Sequence, residues 1–311
     1  MTRAFIFPGQ ASQQVGMGQA LAEASPVARQ VFEEVDDTLN QHLTKIMFEG
    51  PEDDLTLTEN AQPAIMAVSV AVYRVLEKEA GLNVSEAANF IAGHSLGEYA
   101  ALAVAGTFSL AEAATLLKTR GQAMQKAVPV GEGAMAALLG LDLDDAIAVA
   151  EEAGEVCTVA NDNAPGQVVV SGSKEAVERA VELAAGRGAK RSILLPVSAP
   201  FHRPLMAPAA DVMAEALASV NMNAPVVPLV ANVTASPVQS PDEIRNLLVE
   251  QVTERVRWRE GVLKMKEDGV DTMVEIGAGK VLSGMTKRID RDIKSLNVGT
   301  PDDVEAFIKT L

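Results

Sequence analysis

Short apolar segments alternate with longer segments of helical periodicity along the first part of the chain. Residues 3–7 and 89–93 are apolar runs of strand length, and residues 14–40, 61–80 and 110–128 repeat apolar positions at helical spacing. A further helix is expected from about residue 96. Strands that are apolar throughout are typical of a parallel sheet with helices on both faces. The pattern therefore predicts an α/β fold with a mostly parallel sheet.

The pattern changes near Pro129. From there six segments follow in the order strand, helix, strand, strand, helix, strand, and we predict them at residues 133–140, 142–153, 155–162, 167–172, 173–188 and 189–197. This order is that of a split βαβ, ferredoxin-like unit. We therefore predict a small domain, residues 129–196, inserted into a large domain that comprises residues 1–128 and 197–311.

The α/β pattern resumes after the insert. Further elements are predicted as strands at 225–233, 270–276 and 294–299, and as helices at 241–254, 280–289 and 301–311.

Composition excludes several classes of protein. The chain has 311 residues, of which 48% are hydrophobic and 22% charged, as expected of a folded globular protein. A formal charge of −16 disfavours general nucleic-acid binding. Cys157 is the only cysteine, so neither an intrachain disulfide nor a cysteine-based metal cluster can form. We expect a cytoplasmic location, because the chain has no signal-peptide pattern and no apolar run of membrane-spanning length.

The strongest chemical signal is Gly93-His94-Ser95-Leu96-Gly97, which fits the G-x-S-x-G nucleophile elbow. Such an elbow is a sharp strand-to-helix turn that exposes the serine, and the glycines allow close packing of the backbone. A chance turn is the alternative. The apolar strand before the pentapeptide and the helix after it favour the elbow, with Ser95 as nucleophile.

A serine nucleophile needs a base, and the chain has only three histidines. His94 should leave the elbow in another direction from its neighbour, and His42 lies in a polar segment. His202 lies between Pro200 and Pro204 in a loop that could hold an imidazole rigidly. We therefore predict His202 as the base, with an ordinary surface histidine as the alternative.

Arg120 occupies a position on the apolar stripe of the helix at 110–128. A buried arginine is unfavourable unless it is paired. Two explanations remain open at this point, a structural salt bridge or an anchor for a substrate carboxylate, which the guanidinium fork suits.

Two glycine-containing loops follow predicted strands. Residues 7–13 could direct backbone N–H groups at an oxyanion, beside the N–H of the residue after the nucleophile, or could be a plain turn. Residues 275–280 lack the spacing of a phosphate-binding loop, so we predict only a strand–turn–helix junction there.

Taken together, these motifs are similar to those of the malonyl-CoA:acyl carrier protein transacylases of bacterial fatty acid synthesis and the related acyltransferase domains of polyketide synthases. The resemblance runs from end to end. It is carried by FPGQASQ (7–13), TxxxQPAI (58–65), GHSLGEYAAL (93–102), RGxxMQ (120–125), GAMAALLG (133–140), ANDNAPGQVVVSG (160–172), LPVSAPFH (195–202), Gln251 before RVRW (255–258) and EIGAGKVLSG (275–284).

This resemblance implies an α/β-hydrolase-like large domain with a ferredoxin-like insert, and a role for each matching residue. Ser95 would carry the acyl group and His202 would be its base, oriented by a carbonyl of Gln251 in place of an aspartate. The N–H groups of Gln10 and Leu96 would form the oxyanion hole. Arg120 would bind the free carboxylate of malonate.

The implied reaction is a ping-pong acyl transfer from malonyl-CoA to the phosphopantetheine thiol of acyl carrier protein. It would need no metal and no redox cofactor, and a monomer is expected. The alternatives are a serine thioesterase or esterase, and a non-catalytic module that docks a carrier protein. One departure is Ala11, where the family commonly has glycine; its methyl group should fit unless φ is positive there.

Overall fold

The computed structural model describes residues 2–128, 131–154, 156–195 and 200–311. The strands in these ranges are β1 (Arg3–Phe7), β2 (Phe90–Gly93), β3 (Gly133–Leu139), β4 (Cys157–Ala164), β5 (Gln167–Ser173), β6 (Arg191–Leu194), β7 (Leu229–Val230), β8 (Pro237–Val238), β9 (Thr272–Ile276) and β10 (Lys294–Val298).

The helices in the same ranges are α1 (Gln19–Ala24), α2 (Pro26–Leu39), α3 (Leu43–Glu49), α4 (Glu52–Thr56), α5 (Thr58–Ala80), α6 (Val84–Ala87), α7 (Gly97–Val104), α8 (Leu110–Ala127), α9 (Leu143–Ala153), α10 (Lys174–Gly186), α11 (Ala207–Ala218), α12 (Pro241–Glu250), α13 (Trp258–Glu267), α14 (Val281–Ile289) and α15 (Pro301–Ile308). A short 3-10 helix spans Pro204–Met206.

The larger sheet has the order β10-β9-β1-β2-β7-β8. All neighbouring strands run parallel except β7 and β8, which form a short antiparallel pair. Apolar side chains of β1 are buried on both faces, as its apolar run predicted, and every residue of β9 is buried. The carboxyl ends of β1 and β2 lie side by side, with Phe7 opposite Gly93, so the two loops that follow them share one edge of the sheet.

The smaller sheet is antiparallel, with the order β4-β5-β3-β6. Helices α9 and α10 connect its strands in the β-α-β-β-α-β order, which confirms the ferredoxin-like unit. Its own core of Ala, Val and Leu side chains is separate from the cores of the large sheet. The proposed domain boundaries, at residues 129 and 196, lie outside the described residues and stay predictions.

Two predicted elements differ most from the structure. The strand predicted at 225–233 is reduced to Leu229–Val230, because Pro225 and Pro228 lack N–H donors and the backbone beyond Val230 turns away. The helix predicted at 14–40 is two helices, since Pro26 at the first position of α2 cannot continue the turn of α1 before it.

Contacts of β4 with Val256 and with Arg259 at the start of α13 hold the small sheet against the large one. The N–H of Asp162 donates to the carbonyl of Val256 (2.9 Å), whose own N–H donates to Ala160 (2.9 Å). The Asp162 carboxylate, almost fully buried, pairs with Arg259 at 2.9 Å. Both the backbone and a partly buried ion pair therefore fix how this strand meets the large domain. Within the described ranges, no helix is long and apolar enough to cross a membrane.

The turn between β2 and α7 leaves no room for side chains at its two glycines. A Cβ at Gly93 would lie 1.9 Å from the carbonyl carbon of Gly97, and one at Gly97 would lie 2.3 Å from the carbonyl oxygen of Phe7. The backbone of this turn is therefore packed directly against itself and against the end of β1.

We predict that Gly93→Ala lowers the free energy of unfolding by about 3 kcal/mol, because backbone atoms on both sides must move apart. Gly284→Ala in α14 is the matched control. A Cβ there meets nothing within 4 Å, and the exchange should stabilise the helix by about 1 kcal/mol. Urea unfolding of both variants measures the difference; similar stabilities would contradict the close packing.

Candidate active site

The serine of the pentapeptide lies in a strained strand-to-helix turn. Ser95 has a φ of 54°, between the end of β2 at Gly93 and the start of α7 at Gly97. Asn232 holds this turn from the far side. Its Oδ1 accepts from the Ser95 N–H (2.8 Å) and its Nδ2 donates to the Gly93 carbonyl (2.7 Å). The turn has the geometry of a nucleophile elbow.

Ser95 and His202 form a hydrogen-bonded pair. Ser95 Oγ lies 2.8 Å from His202 Nε2, and His202 Nδ1 lies 2.8 Å from the main-chain carbonyl of Gln251. A carbonyl can only accept, so Nδ1 carries the proton and Nε2 presents its lone pair to the serine hydroxyl. The arrangement is that of a serine activated by a base which a third group orients.

The environment keeps His202 neutral. The side chain is buried, and burial together with the positive charge of Arg120 lowers its pKa to about 3. An imidazole that is neutral throughout the physiological range can accept the serine proton at any such pH.

Arg120 is 1% exposed and points at the same serine. Its Nη2 donates to Ser95 Oγ (3.1 Å) and to Gln251 Oε1 (2.9 Å), and its Nη1 donates to Gln62 Oε1 (2.8 Å). No carboxylate of the described residues lies within salt-bridge distance of it. The structural salt bridge considered from the sequence is therefore not the reason for its burial, and only neutral groups hold the guanidinium.

Gln251 joins the components of the site. Its main-chain carbonyl orients His202, its Oε1 accepts from Arg120, and its Nε2 donates to the Ser95 carbonyl (2.9 Å) and to Glu98 Oε2 (2.5 Å). A single residue at the end of α12 thus connects the base, the cation and the elbow.

The loop after β1 lies against the elbow. A Cβ at Gly9 would be 2.5 Å from the His94 carbonyl oxygen, and the His94 N–H donates to Phe7 (3.0 Å). Among the described residues, the backbone N–H groups of Gln10 and Leu96 donate to no acceptor. Two free donors beside a serine would suit a developing oxyanion.

A cleft of about 430 Å³ gives access to these groups. Gln10, Ser95, Arg120 and His202 all line it, and the small domain contributes Met135 and Asn161. The cleft therefore lies where the two sheets meet, and it is large enough for an acyl group and part of its carrier.

The other two histidines have no contact with the serine hydroxyl. His94 is partly buried, its Nε2 lies 2.8 Å from Asn163 Oδ1 on β4, and its ring packs on Trp258. His42 is exposed at the start of α3. His94 thus points away from the serine hydroxyl, as expected from the sequence, and connects the elbow to the small domain.

Three residues of the site were missed by sequence reasoning, namely Gln62, Glu98 and Asn232. Gln62 and Glu98 lie within motifs that carried the family resemblance. Each is a polar residue with apolar neighbours in the sequence, and this signal could have singled them out; both are buried in the structure. Asn232 was assigned to a strand, although the prolines before it indicate an irregular segment.

The remaining candidates carry no chemistry of their own. Residues 275–280 form the expected strand–turn–helix junction, where the Glu275 carboxylate accepts from the N–H groups of Leu282 (3.0 Å) and Ser283 (2.7 Å). Cys157 is buried, which raises the pKa of its thiol to about 11. The described residues contain no group of three or more His, Cys, Asp or Glu side chains arranged to hold a metal ion.

Comparison with known proteins decides the family. The family model described as acyl transferase domain matches residues 4–300. The chain belongs to the acyltransferase-domain family. Among curated acyltransferases it is 45% identical to the malonyl CoA-acyl carrier protein transacylase of Bacillus subtilis, over 99% of this chain and 96% of that protein.

Solved structures of acyltransferases have the same fold. The acyl-carrier-protein-S-malonyltransferase of Bartonella henselae superposes with a TM-score of 0.97 at 57% identity, covering 100% of this chain and 99% of that one. A malonyl-transacylase in complex with its type II PKS acyl-carrier protein superposes with a TM-score of 0.96 at 41% identity, over the full length of both chains. The predicted fold class and the family resemblance are both confirmed.

Ala11, where acyltransferases of this family commonly have glycine, has a φ of 79°. The methyl group was expected to fit unless φ is positive, and here φ is positive. The left-handed region is unfavourable for a residue with a Cβ. The loop accepts this strain at an exposed position, where the Ala11 N–H donates to Gln13 Oε1 (2.8 Å).

We predict that Ala11→Gly raises the free energy of unfolding by about 0.5 kcal/mol, since the relief of strain exceeds the greater flexibility of glycine in the unfolded chain. Ala148→Gly within α9 is the control and should lose about 1 kcal/mol. Thermal and urea unfolding compare the two; a loss of stability at Ala11 would contradict the strain.

Proposed function

We propose that the protein transfers the malonyl group of malonyl-CoA to the phosphopantetheine thiol of an acyl carrier protein, through a malonyl ester of Ser95. The observation that carries the proposal is the buried Arg120 guanidinium, 3.1 Å from the nucleophile and held by neutral groups alone. A cation placed in this way suits an acyl group that ends in a carboxylate. The similar proteins, a malonyl CoA-acyl carrier protein transacylase and an acyl-carrier-protein-S-malonyltransferase, are named for this substrate and acceptor.

In the first half-reaction, Ser95 Oγ attacks the thioester carbonyl while its proton passes to His202 Nε2. The Nδ1–H bond to the Gln251 carbonyl keeps the ring in place and stabilises the imidazolium that forms. The oxyanion would accept hydrogen bonds from the N–H groups of Gln10 and Leu96. The C–S bond then breaks, and the imidazolium returns its proton to the departing coenzyme A thiolate.

The second half-reaction reverses these roles with a different thiol. His202 Nε2 takes the proton of the phosphopantetheine thiol, and the sulfur attacks the ester carbonyl of malonyl-Ser95. The ester C–O bond breaks, and Ser95 Oγ recovers a proton from the imidazolium. No other reactant is required for atoms and charge to balance.

Two alternatives predict different behaviour from the same fold. In a thioesterase or esterase, water would attack the acyl-serine. A neutral acyl group, however, has no carboxylate for the buried Arg120 cation to bind. A non-catalytic docking module would have no need for the 2.8 Å contact between Ser95 and His202. Both features support the transferase.

Several expectations from the sequence stay predictions. These are the absence of metal and redox cofactors from the reaction, the monomeric state, the cytoplasmic location and the domain boundaries at 128/129 and 196/197. The individual roles of Ser95, His202, Gln251, Gln10, Leu96 and Arg120 are likewise proposed here on geometry.

Incubation with malonyl-CoA alone should leave one malonyl group on Ser95, because no thiol is present to take it over. Intact-mass and peptide mass spectrometry detect and locate the adduct. Ser12→Ala, which removes another buried serine near the cleft, is the control and should keep the adduct. An unmodified Ser95, or label on any other residue, would reject the proposed function.

Replacement of Arg120 by alanine should lower malonyl transfer by about 100-fold, while acetyl transfer falls far less. Only the malonyl group has a carboxylate that would lose its ion-pair partner. Steady-state assays with both acyl-CoA substrates measure the ratio. Lys118→Ala removes a cation from the same helix that pairs with Glu59 outside the cleft, and it should leave the ratio unchanged. Equal losses on both substrates would refute the anchor role.

A further inference from the structure

A buried carboxylate lies behind the nucleophile and has no part in the reaction as described. Glu98, in the first turn of α7, is 1% exposed. Its Oε1 accepts from the Asn232 N–H at 2.6 Å, and its Oε2 accepts from Gln251 Nε2 at 2.5 Å. Both oxygens meet donors, which is the arrangement that an ionised carboxylate requires.

The charge opposite Glu98 is Arg120, and one amide separates them. Gln251 donates to Glu98 through Nε2 and accepts from Arg120 through Oε1, so its dipole lies between the anion and the cation. In the part of the chain that the structure describes, neither residue has a direct salt-bridge partner. When Glu98 is ionised, the two residues therefore form a separated ion pair inside the protein.

The other titratable groups around Glu98 stay uncharged. Tyr99, beside it on α7, has a pKa raised by burial. Burial lowers the pKa values of His94 in the elbow and of His202 in the loop before α11. Among these groups, Arg120 on α8 is thus the one whose charge can hold Glu98 ionised.

The balance between burial and this charge makes Glu98 titratable. Burial raises its pKa, while the hydrogen bonds from Asn232 and Gln251 and then the charge of Arg120 lower it, with a resulting value of about 8. A change in the charge that Arg120 presents must therefore change the protonation of Glu98.

We propose that Glu98, where it is ionised in the free enzyme, is the counter-charge of Arg120, and that it then takes up one proton from solvent when a malonyl carboxylate binds the guanidinium. The inference rests on the proposed function, because it needs Arg120 to bind that carboxylate. The incoming anion neutralises the cation, and two carboxylates then share one guanidinium in a buried site, so the one without the direct contact becomes neutral.

The sign of the resulting pH dependence follows from linkage. The bound state has the higher pKa at Glu98, so binding takes up a proton wherever the free enzyme is ionised, above about pH 8. There the affinity for malonyl-CoA should fall by up to about tenfold for each pH unit. Below about pH 7 Glu98 is protonated in both states, and the affinity should be independent of this group.

Isothermal titration calorimetry on Ser95→Ala, which cannot be acylated, tests the inference. Titrations at pH 7 and pH 9, each in two buffers of different ionisation enthalpy, count the protons taken up per ligand. Acetyl-CoA is the matched ligand, because it shares every phosphate of malonyl-CoA and lacks the carboxylate. We expect uptake approaching one proton at pH 9 for malonyl-CoA in excess of acetyl-CoA, and little at pH 7.

A second variant assigns the proton. Glu98→Gln in the Ser95→Ala background should bind malonyl-CoA with no excess uptake at pH 9, whereas Glu79→Gln, an exposed acid on α5, should keep it. Excess uptake that persists in folded Glu98→Gln would overturn the assignment. If that variant fails to fold, as judged by circular dichroism, the measurement on Ser95→Ala still tests the uptake itself, and no excess uptake at pH 9 would overturn the inference.

The outcomes separate this inference from the function beneath it. Malonyl-CoA that binds more tightly than acetyl-CoA at pH 7 but takes up no excess proton at pH 9 would overturn the inference and leave the anchor role of Arg120 in place. Equal affinities for both ligands at pH 7 would instead reject Arg120 as the carboxylate anchor and the inference with it.

Discussion

The rest of this site depends on one constraint, the burial of a guanidinium whose hydrogen-bond partners are all neutral. Arg120 is 1% exposed, and its donors reach Gln62, Gln251 and Ser95. A buried cation without a direct counter-ion is unfavourable, so its acceptors must be fixed before a ligand arrives. Each acceptor comes from a different element: α5, the end of α12 and the elbow. The fold thus places a fixed positive charge beside the nucleophile, where the proposed function would have it bind the carboxylate of the acyl group.

Strain in the backbone of the site is balanced by hydrogen bonds from other parts of the fold. Ser95 and His202 both have positive φ, at 54° and 55°. The backbone N–H of Ser95 donates to Asn232 Oδ1, and the ring of His202 is held by the Gln251 carbonyl. The small domain takes part through Asn163, which contacts the histidine next to the nucleophile. Side chains from around both sheets therefore line one cleft.

Local signals in the sequence were sufficient for some parts of this structure and not for others. Strand–turn–helix context predicted the elbow at Ser95, and the scarcity of histidine pointed to His202. Helical periodicity showed that Arg120 is buried, but not its partners, because Gln62 lies 58 residues before it and Gln251 lies 131 after it. Amide side chains have no characteristic spacing, so the network they form becomes visible only in three dimensions. The alternation of elements likewise predicted both sheets but not the order of their strands.

The central claim is that Arg120 has no direct carboxylate partner in the free enzyme and that the malonyl group supplies this partner. A crystal structure of the acylated enzyme, prepared with malonyl-CoA and no acceptor thiol, tests it most directly. The account predicts malonyl carboxylate oxygens within hydrogen-bond distance of Arg120 Nη1 or Nη2, with the ester carbonyl toward the N–H groups of Gln10 and Leu96. A malonyl group whose carboxylate faces solvent, with Arg120 still bonded only to its neutral partners, would contradict it.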